Sequence, residues 1–308
     1  MSKTVFLFSG QGSQYVGMAK DFYESYDECK KIFEDAKSIL GFDLADICFN
    51  SDEDTLAKTI YSQPAIFATS LCALEAAKAN GIEASGVAGH SLGEYAAMVA
   101  SGILIVSEGF KAIKIRSEAM QKASENSNGA MCAIIGMTSQ EVEKICSEID
   151  GYVIPVNYNS SKQTVIAGEV SSIEKAEKVF AEKGARAIKL KVSSAFHSKL
   201  MKEASDEFYS KSSDLVFNKP QKDFYANLTG DILSTDTNMR DYLSKHIVSP
   251  VKFTSELANL QKNGYDTFIE LGPGKVLTGL VKKTLKGVLA VNIENNATLE
   301  KALSKINA

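Results

Sequence analysis

Val87-Ala88-Gly89-His90-Ser91-Leu92-Gly93-Glu94-Tyr95-Ala96-Ala97-Met98-Val99-Ala100-Ser101 decides how the rest of the chain is read. A short apolar run leads straight into Gly-x-Ser-x-Gly, and a helix-forming stretch closed by Gly102 follows. A strand that turns this abruptly into a helix admits only small residues two positions either side of the serine, which Gly89 and Gly93 supply. The turn exposes the Ser91 hydroxyl at a helix N-terminus, where partial positive charge favours a developing anion. A glycine-flanked turn with an incidental serine shares the five-residue pattern, but the strand and helix flanks argue for a nucleophile elbow.

Outward from this point the chain alternates. Val5 to Phe8, ended by Ser9-Gly10, predicts a buried strand of a parallel sheet. Pro64 opens a long alanine-rich helix reaching about Asn80, with Gly81 as its stop, and the alternation implies an α/β sandwich. From Gly129 the order becomes strand (Ala130 to Ile135), helix (Ser139 to Ile149), strand (Tyr152 to Asn157), strand (Thr164 to Ala167), helix (Ser171 to Lys183) and strand (Ala185 to Val192). This βαββαβ order is the ferredoxin-like unit. Asn126 to Gly129 form a polar joint before it and Ser193-Ser194 end it. The expected division is a small domain at 127–193, inserted in a discontinuous main domain of 1–126 and 194–308. A strand at Thr267 to Leu271 then leads into Gly272-Pro273-Gly274-Lys275 and a helix from Val276. That glycine loop lacks the spacing of a phosphate cradle and reads as a loop near the rim of the site.

Composition narrows the partners. The 308 residues carry 34 basic against 38 acidic side chains, a net charge of −4, which gives no reason to expect nucleic acid or an anionic membrane surface. Cys29, Cys48, Cys72, Cys132 and Cys146 show neither metal-ligand nor redox spacing, so reduced packing thiols and no metal are expected. The N-terminal apolar run is too short for a secretion signal, and nothing approaches the roughly 20 apolar residues of a membrane span, so a cytoplasmic location is expected.

Two further features bear on the chemistry of the elbow. Ser9-Gly10-Gln11-Gly12-Ser13-Gln14 follows a strand and precedes a helix, but Tyr15 occupies the third glycine position of a dinucleotide turn. It is either a plain βα turn or a loop whose Gln11 N–H supplies the second oxyanion donor beside that of Leu92. In the helix from about Ser107 to Ala123, Phe110, Ile113, Met120 and Ala123 form an apolar stripe, opposite Lys111, Lys114, Glu118 and Lys122. Arg116 falls on the apolar side, where a buried guanidinium needs a partner. The partner is either an acidic side chain or the free carboxylate of a substrate, which arginine can grip bidentately.

Phe8-Ser9-Gly10-Gln11-Gly12-Ser13-Gln14, Gln63-Pro64-Ala65, Gly89-His90-Ser91-Leu92-Gly93-Glu94-Tyr95, Ala195-Phe196-His197-Ser198 and Gly272-Pro273-Gly274, in this order, resemble the malonyl-CoA:acyl-carrier-protein transacylase family. The resemblance covers the chain throughout. It implies an α/β-hydrolase-like large domain with a ferredoxin-like insert, and an oxyanion hole made by the N–H groups of Gln11 and Leu92. The implied reaction is malonyl transfer from malonyl-CoA to the phosphopantetheine thiol of acyl carrier protein, through a malonyl-serine and without a permanently bound cofactor. It assigns Arg116 to the malonyl carboxylate and Phe196 to limiting room for an α-methyl branch.

Three histidines are candidates for the base that a serine nucleophile needs. His90 adjoins Ser91 and is directed elsewhere by the turn, while His246 lies in a polar helical stretch where a surface or capping role is expected. A loop histidine such as His197 is open to a structural role, and it is the resemblance that selects it. The resemblance also implies a dyad without a partner carboxylate, the imidazole being held by a backbone carbonyl near Pro250-Val251-Lys252-Phe253. Lys252 departs from the glutamine or arginine of relatives, which matters little where a carbonyl serves.

Gln11 and Gln63 line the same pocket or are exposed polar residues. Asn157 and Asn159 lie in a loop of the insert and contact the pantetheine arm or shape a turn. Lys282, Lys283 and Lys286, with Arg186, Lys189 and Lys191, either meet an acidic carrier protein or are solvated surface. A monomer suffices for this chemistry. An esterase using water as acceptor, and a docking module that has lost catalysis, are the rival readings.

Overall fold

The computed structural model describes residues 2–190, 192 and 194–307. Its strands are β1 (Thr4–Phe8), β2 (Gly86–Gly89), β3 (Gly129–Ile135), β4 (Val153–Ser160), β5 (Gln163–Glu169), β6 (Arg186–Lys189), β7 (Asp223–Ala226), β8 (Asp231–Ile232), β9 (Thr267–Leu271) and β10 (Leu289–Ile293). They form two sheets. The first has the order β10-β9-β1-β2-β7-β8, parallel throughout except that β8 runs against β7.

Side-chain alternation along β1 explains the two-sided burial of this sheet. Val5 and Leu7 face one core with Leu257, Leu277 and Val281, whereas Phe6 and Phe8 face the other with Phe67, Tyr95 and Phe110. Helices 253–262 and 276–284 therefore cover one face, and helices 59–79, 93–100 and 106–125 the other.

The second sheet is antiparallel, with order β4-β5-β3-β6. Ala130, Cys132 and Ile134 of β3 pack on helices 139–148 and 170–182 through Val142, Ile145, Ile173 and Phe180. The intervening Met131 and Ala133 point the other way, into a cavity between the two sheets. Backbone hydrogen bonds from Val251 to the Val156 carbonyl and from Tyr158 to the Val251 carbonyl join β4 to the main part of the chain. Ser193 and Lys191 of the expected boundary and basic cluster lie outside the described residues.

Two expectations need correction. The alanine-rich helix begins at Thr59, not Pro64. Proline removes a donor that would have met the Ile60 carbonyl, but every residue from Ser62 to Leu74 is buried, and that packing outweighs the missing bond. Asn157 and Asn159 lie on β4 rather than in a loop; register shifts at Pro155/Asn157 and Tyr158/Ser160 let the strand bend through them. No helix among the described residues is long and apolar enough to cross a membrane.

Candidate active site

Ser91 sits between β2 and helix 93–100 with φ 53, a left-handed conformation that a non-glycine residue keeps only where its surroundings hold it. The flanking glycines are required by contact. A Cβ on Gly89 would lie 2.1 Å from the Gly93 carbonyl carbon, and one on Gly93 would lie 2.0 Å from the Phe8 carbonyl oxygen. The elbow is thus pressed against the end of β1. Gly10 follows the same logic, because its Cβ would lie 2.5 Å from the His90 carbonyl oxygen. The loop after β1 is held directly over the elbow.

His197, also at positive φ (63°), reaches Ser91 Oγ with Nε2 at 2.7 Å. Its Nδ1 lies 3.0 Å from the carbonyl oxygens of both His246 and Ser249. Two acceptors at Nδ1 put the proton there, so Nε2 is the bare nitrogen that accepts from the serine hydroxyl. The carbonyls lie just upstream of Pro250–Phe253; that of His246 belongs to the last turn of helix 239–247, where carbonyls lack helical partners. Among the described residues no carboxylate hydrogen-bonds to the ring. Burial, helped by the Arg116 charge, holds the imidazole down to about 3, so it is neutral and able to take a proton at any ordinary pH.

Arg116, on helix 106–125, is 1% exposed. Its Nη2 donates to Ser91 Oγ at 3.2 Å, its guanidinium carbon lies 5.6 Å from the Tyr95 ring centre, and Nε has no hydrogen-bond partner. Among the described residues it makes no ion pair, and the internal salt bridge offered by the sequence is not found. Burial lowers its pKa, but a guanidinium does not give up its proton, so an unmatched cation faces the serine.

These groups open on a cavity of about 440 Å³. Gln11, His90, Asn157, Asn159, Phe196 and Leu190 contribute to its wall. Val276, Leu277 and Leu280 put the helix after Gly272–Lys275 on the wall as well. Gln63 does not line it: fully buried, it donates to Gln11 Oε1 at 3.3 Å from behind. Among the described residues the N–H groups of Gln11 and Leu92 donate to no protein acceptor. His90 Nε2 donates to Asn159 Oδ1 at 2.8 Å, tying the elbow to β4.

Sequence reasoning missed a buried group behind the elbow: Glu94, Asn227, Tyr242, His246 and Glu256. His246 is fully buried, contrary to its expected surface role, because the polar side of helix 239–247 turns inward onto Asn227 and Glu94. Glu94 carried a readable signal, a carboxyl in an otherwise apolar helix, the same signal that singled out Arg116. Gln163, a further residue of the cavity wall, carried none.

A family model described as the acyl transferase domain matches residues 5–302. The chain is 36% identical to the malonyl CoA-acyl carrier protein transacylase of Bacillus subtilis (strain 168), over 99% of this chain and 98% of that one. It is 34% identical to the same-named protein of Escherichia coli (strain K12), over 98% and 99%. Among solved structures, the malonyl CoA-acyl carrier protein transacylase of Clostridium perfringens superposes with TM-score 0.95 at 39% identity, covering 99% and 98%. A malonyl-transacylase solved in complex with its type II PKS acyl-carrier protein superposes with TM-score 0.93 at 34% identity, covering 99% and 100%.

Proposed function

The chain belongs to the acyl transferase domain family, among the malonyl CoA-acyl carrier protein transacylases, and from that premise we propose that it moves a malonyl group from malonyl-CoA to the phosphopantetheine thiol of acyl carrier protein. The observation that carries this reading is Arg116, a buried cation beside the nucleophile that makes no ion pair among the described residues.

In the first half-reaction His197 Nε2 takes the Ser91 proton while Oγ attacks the thioester carbonyl. The resulting oxyanion lies against the N–H groups of Gln11 and Leu92, and the malonyl carboxylate pairs with the Arg116 fork. Collapse breaks the C–S bond, and the CoA sulfur leaves with the proton from His197. In the second half the pantetheine thiol gives its proton to His197 and attacks the malonyl-serine; the C–O bond breaks and Ser91 recovers the proton. Phe196 and Asn159 bound the acyl and pantetheine ends of the cavity, and Gln63 acts by holding Gln11. The exposed Lys282, Lys283, Lys286, Arg186 and Lys189 are the surface offered to an acidic carrier protein.

The same reading divides the chain into an α/β-hydrolase-like domain (1–126 and 194–308) and a ferredoxin-like insert (127–193), with the cavity between them. Five buried free cysteines favour a reducing, cytoplasmic setting.

Intact-mass measurement after a short incubation with malonyl-CoA tests the proposal. The expected result is a malonyl adduct that persists in water, is discharged by holo acyl carrier protein, and is absent from Ser91→Ala. Rapid CoA release without carrier protein would make the protein a hydrolase instead.

A further inference from the structure

The left-handed backbone at Ser91 is strained for a non-glycine residue and must be held by its neighbours. The Ser91 N–H does not face the cavity; it donates to Asn227 Oδ1 at 2.8 Å. Asn227 Nδ2 donates to the Gly89 carbonyl at 2.7 Å and to Glu256 Oε1 at 2.8 Å. His246 Nε2 donates to Asn227 Oδ1 at 3.1 Å. Both donors and both acceptor positions of this carboxamide are therefore used, which fixes which way it points.

The residue's main chain is fastened as well. Its N–H donates to Glu94 Oε1 at 2.6 Å, an oxygen that also accepts from the Tyr242 hydroxyl at 2.7 Å, and its carbonyl accepts from the Lys252 N–H at 3.0 Å. Asn227, Glu94, His246 and Glu256 are all 0% exposed. One side chain thus grips the elbow on both sides of His90 and also touches the residue whose carbonyl orients His197.

We propose that Asn227 is a positioning residue for acyl transfer: its carboxamide clamps the Gly89 carbonyl and the Ser91 N–H, and through His246 sets the nucleophile in register with His197. Glu256 and Glu94 in turn hold Asn227. Burial pushes Glu94 up to about 8 and Glu256 well above its ordinary value, so both are biased toward their neutral acids and brace the clamp through the hydrogen bonds they accept.

The inference rests on the acyl-transfer reading only for its substrate, so its test uses two reactions of Ser91 in the full-length protein. One is single-turnover acylation by malonyl-CoA; the other is labelling by a small serine-directed phosphonofluoridate, which needs no malonyl site. Asn227→Ala is expected to slow both together by about 100-fold, the scale set by a misplacement near 1 Å, with KM for malonyl-CoA within about threefold of wild type. A folded Asn227→Ala that labels within about threefold of wild type, or whose loss lies wholly in KM, overturns the proposal. Should Asn227→Ala not fold, two variants of its brace decide. Glu256→Gln keeps an acceptor for Asn227 and Glu256→Leu does not, so the leucine variant is expected to label about tenfold more slowly than the glutamine variant. Equal rates would refute the clamp. Wild-type labelling without malonyl transfer would remove the substrate assignment and leave the clamp standing.

Discussion

Two sets of buried charge-bearing groups flank the nucleophile, and they solve the cost of burial in opposite ways. On the cavity side Arg116 stays cationic with Nε unpartnered. Behind the elbow Glu94 and Glu256 are pushed toward their neutral acids and share Asn227 as a common partner. A carboxyl can escape the penalty of an isolated buried charge by keeping its proton, whereas a guanidinium cannot. The group that cannot neutralise itself makes no ion pair among the described residues and faces the cavity, where the proposed malonyl carboxylate would meet it. The groups that can neutralise themselves serve to hold the backbone. The contrast separates the proposed binding residue from the proposed supporting ones where burial alone would treat them alike.

Arg116→Lys attacks the contrast first and is expected to have the larger effect. It keeps the positive charge but replaces a planar fork with a point charge, so malonyl kcat/KM should fall by about tenfold or more. Steady-state kinetics with malonyl-CoA measures this, and wild-type efficiency would show that charge without fork geometry suffices.

A smaller effect probes the rear set. Burial raises the Glu94 carboxyl to about 8 from an ordinary 4.5, so the native protein keeps a proton that the unfolded chain releases. Stability from this group is fully present below pH 4.5 and is lost as pH rises through about 8. His197 works the other way: held down to about 3 from 6.5, it leaves stability falling as pH drops through that window. Glu94→Gln removes only the first dependence. Thermal melts at about pH 6 and about pH 8.5 should show a decline a few degrees smaller in the variant than in wild type. Equal declines would mean that Glu94 is already ionised at the lower pH.

What was legible in the sequence follows the same division. The period-2 and period-3.6 patterns of 129–189 gave the strands and helices of the antiparallel sheet within a few residues of their ends, because each element buries one clear face. Arg116 stood out as a charge on an apolar stripe. The helix start at Thr59 was hidden because burial on all sides overrode the usual meaning of proline. The placement of Asn157 and Asn159 on a strand depended on register shifts against β5, which are properties of pairing rather than of local composition. Asn227 went unnoticed, and His246 was expected at the surface, for a different reason: both are ordinary polar residues near the ends of short elements, 19 positions apart, and only the fold brings them beneath Ser91. Local sequence shows which residues are out of place on their own element, and it is silent about polar groups that become partners across the fold.

The central claim is that Arg116 gives the site its acyl group. It is tested most directly by single-turnover acylation of Ser91 with malonyl-CoA and with acetyl-CoA, in wild type and in Arg116→Ala. Loss of one member of a buried ion pair on the scale of 2–5 kcal/mol predicts that the variant loses about 100-fold in malonyl rate, while the malonyl-to-acetyl ratio falls toward one. A ratio that stays at its wild-type value in the folded variant would contradict the account.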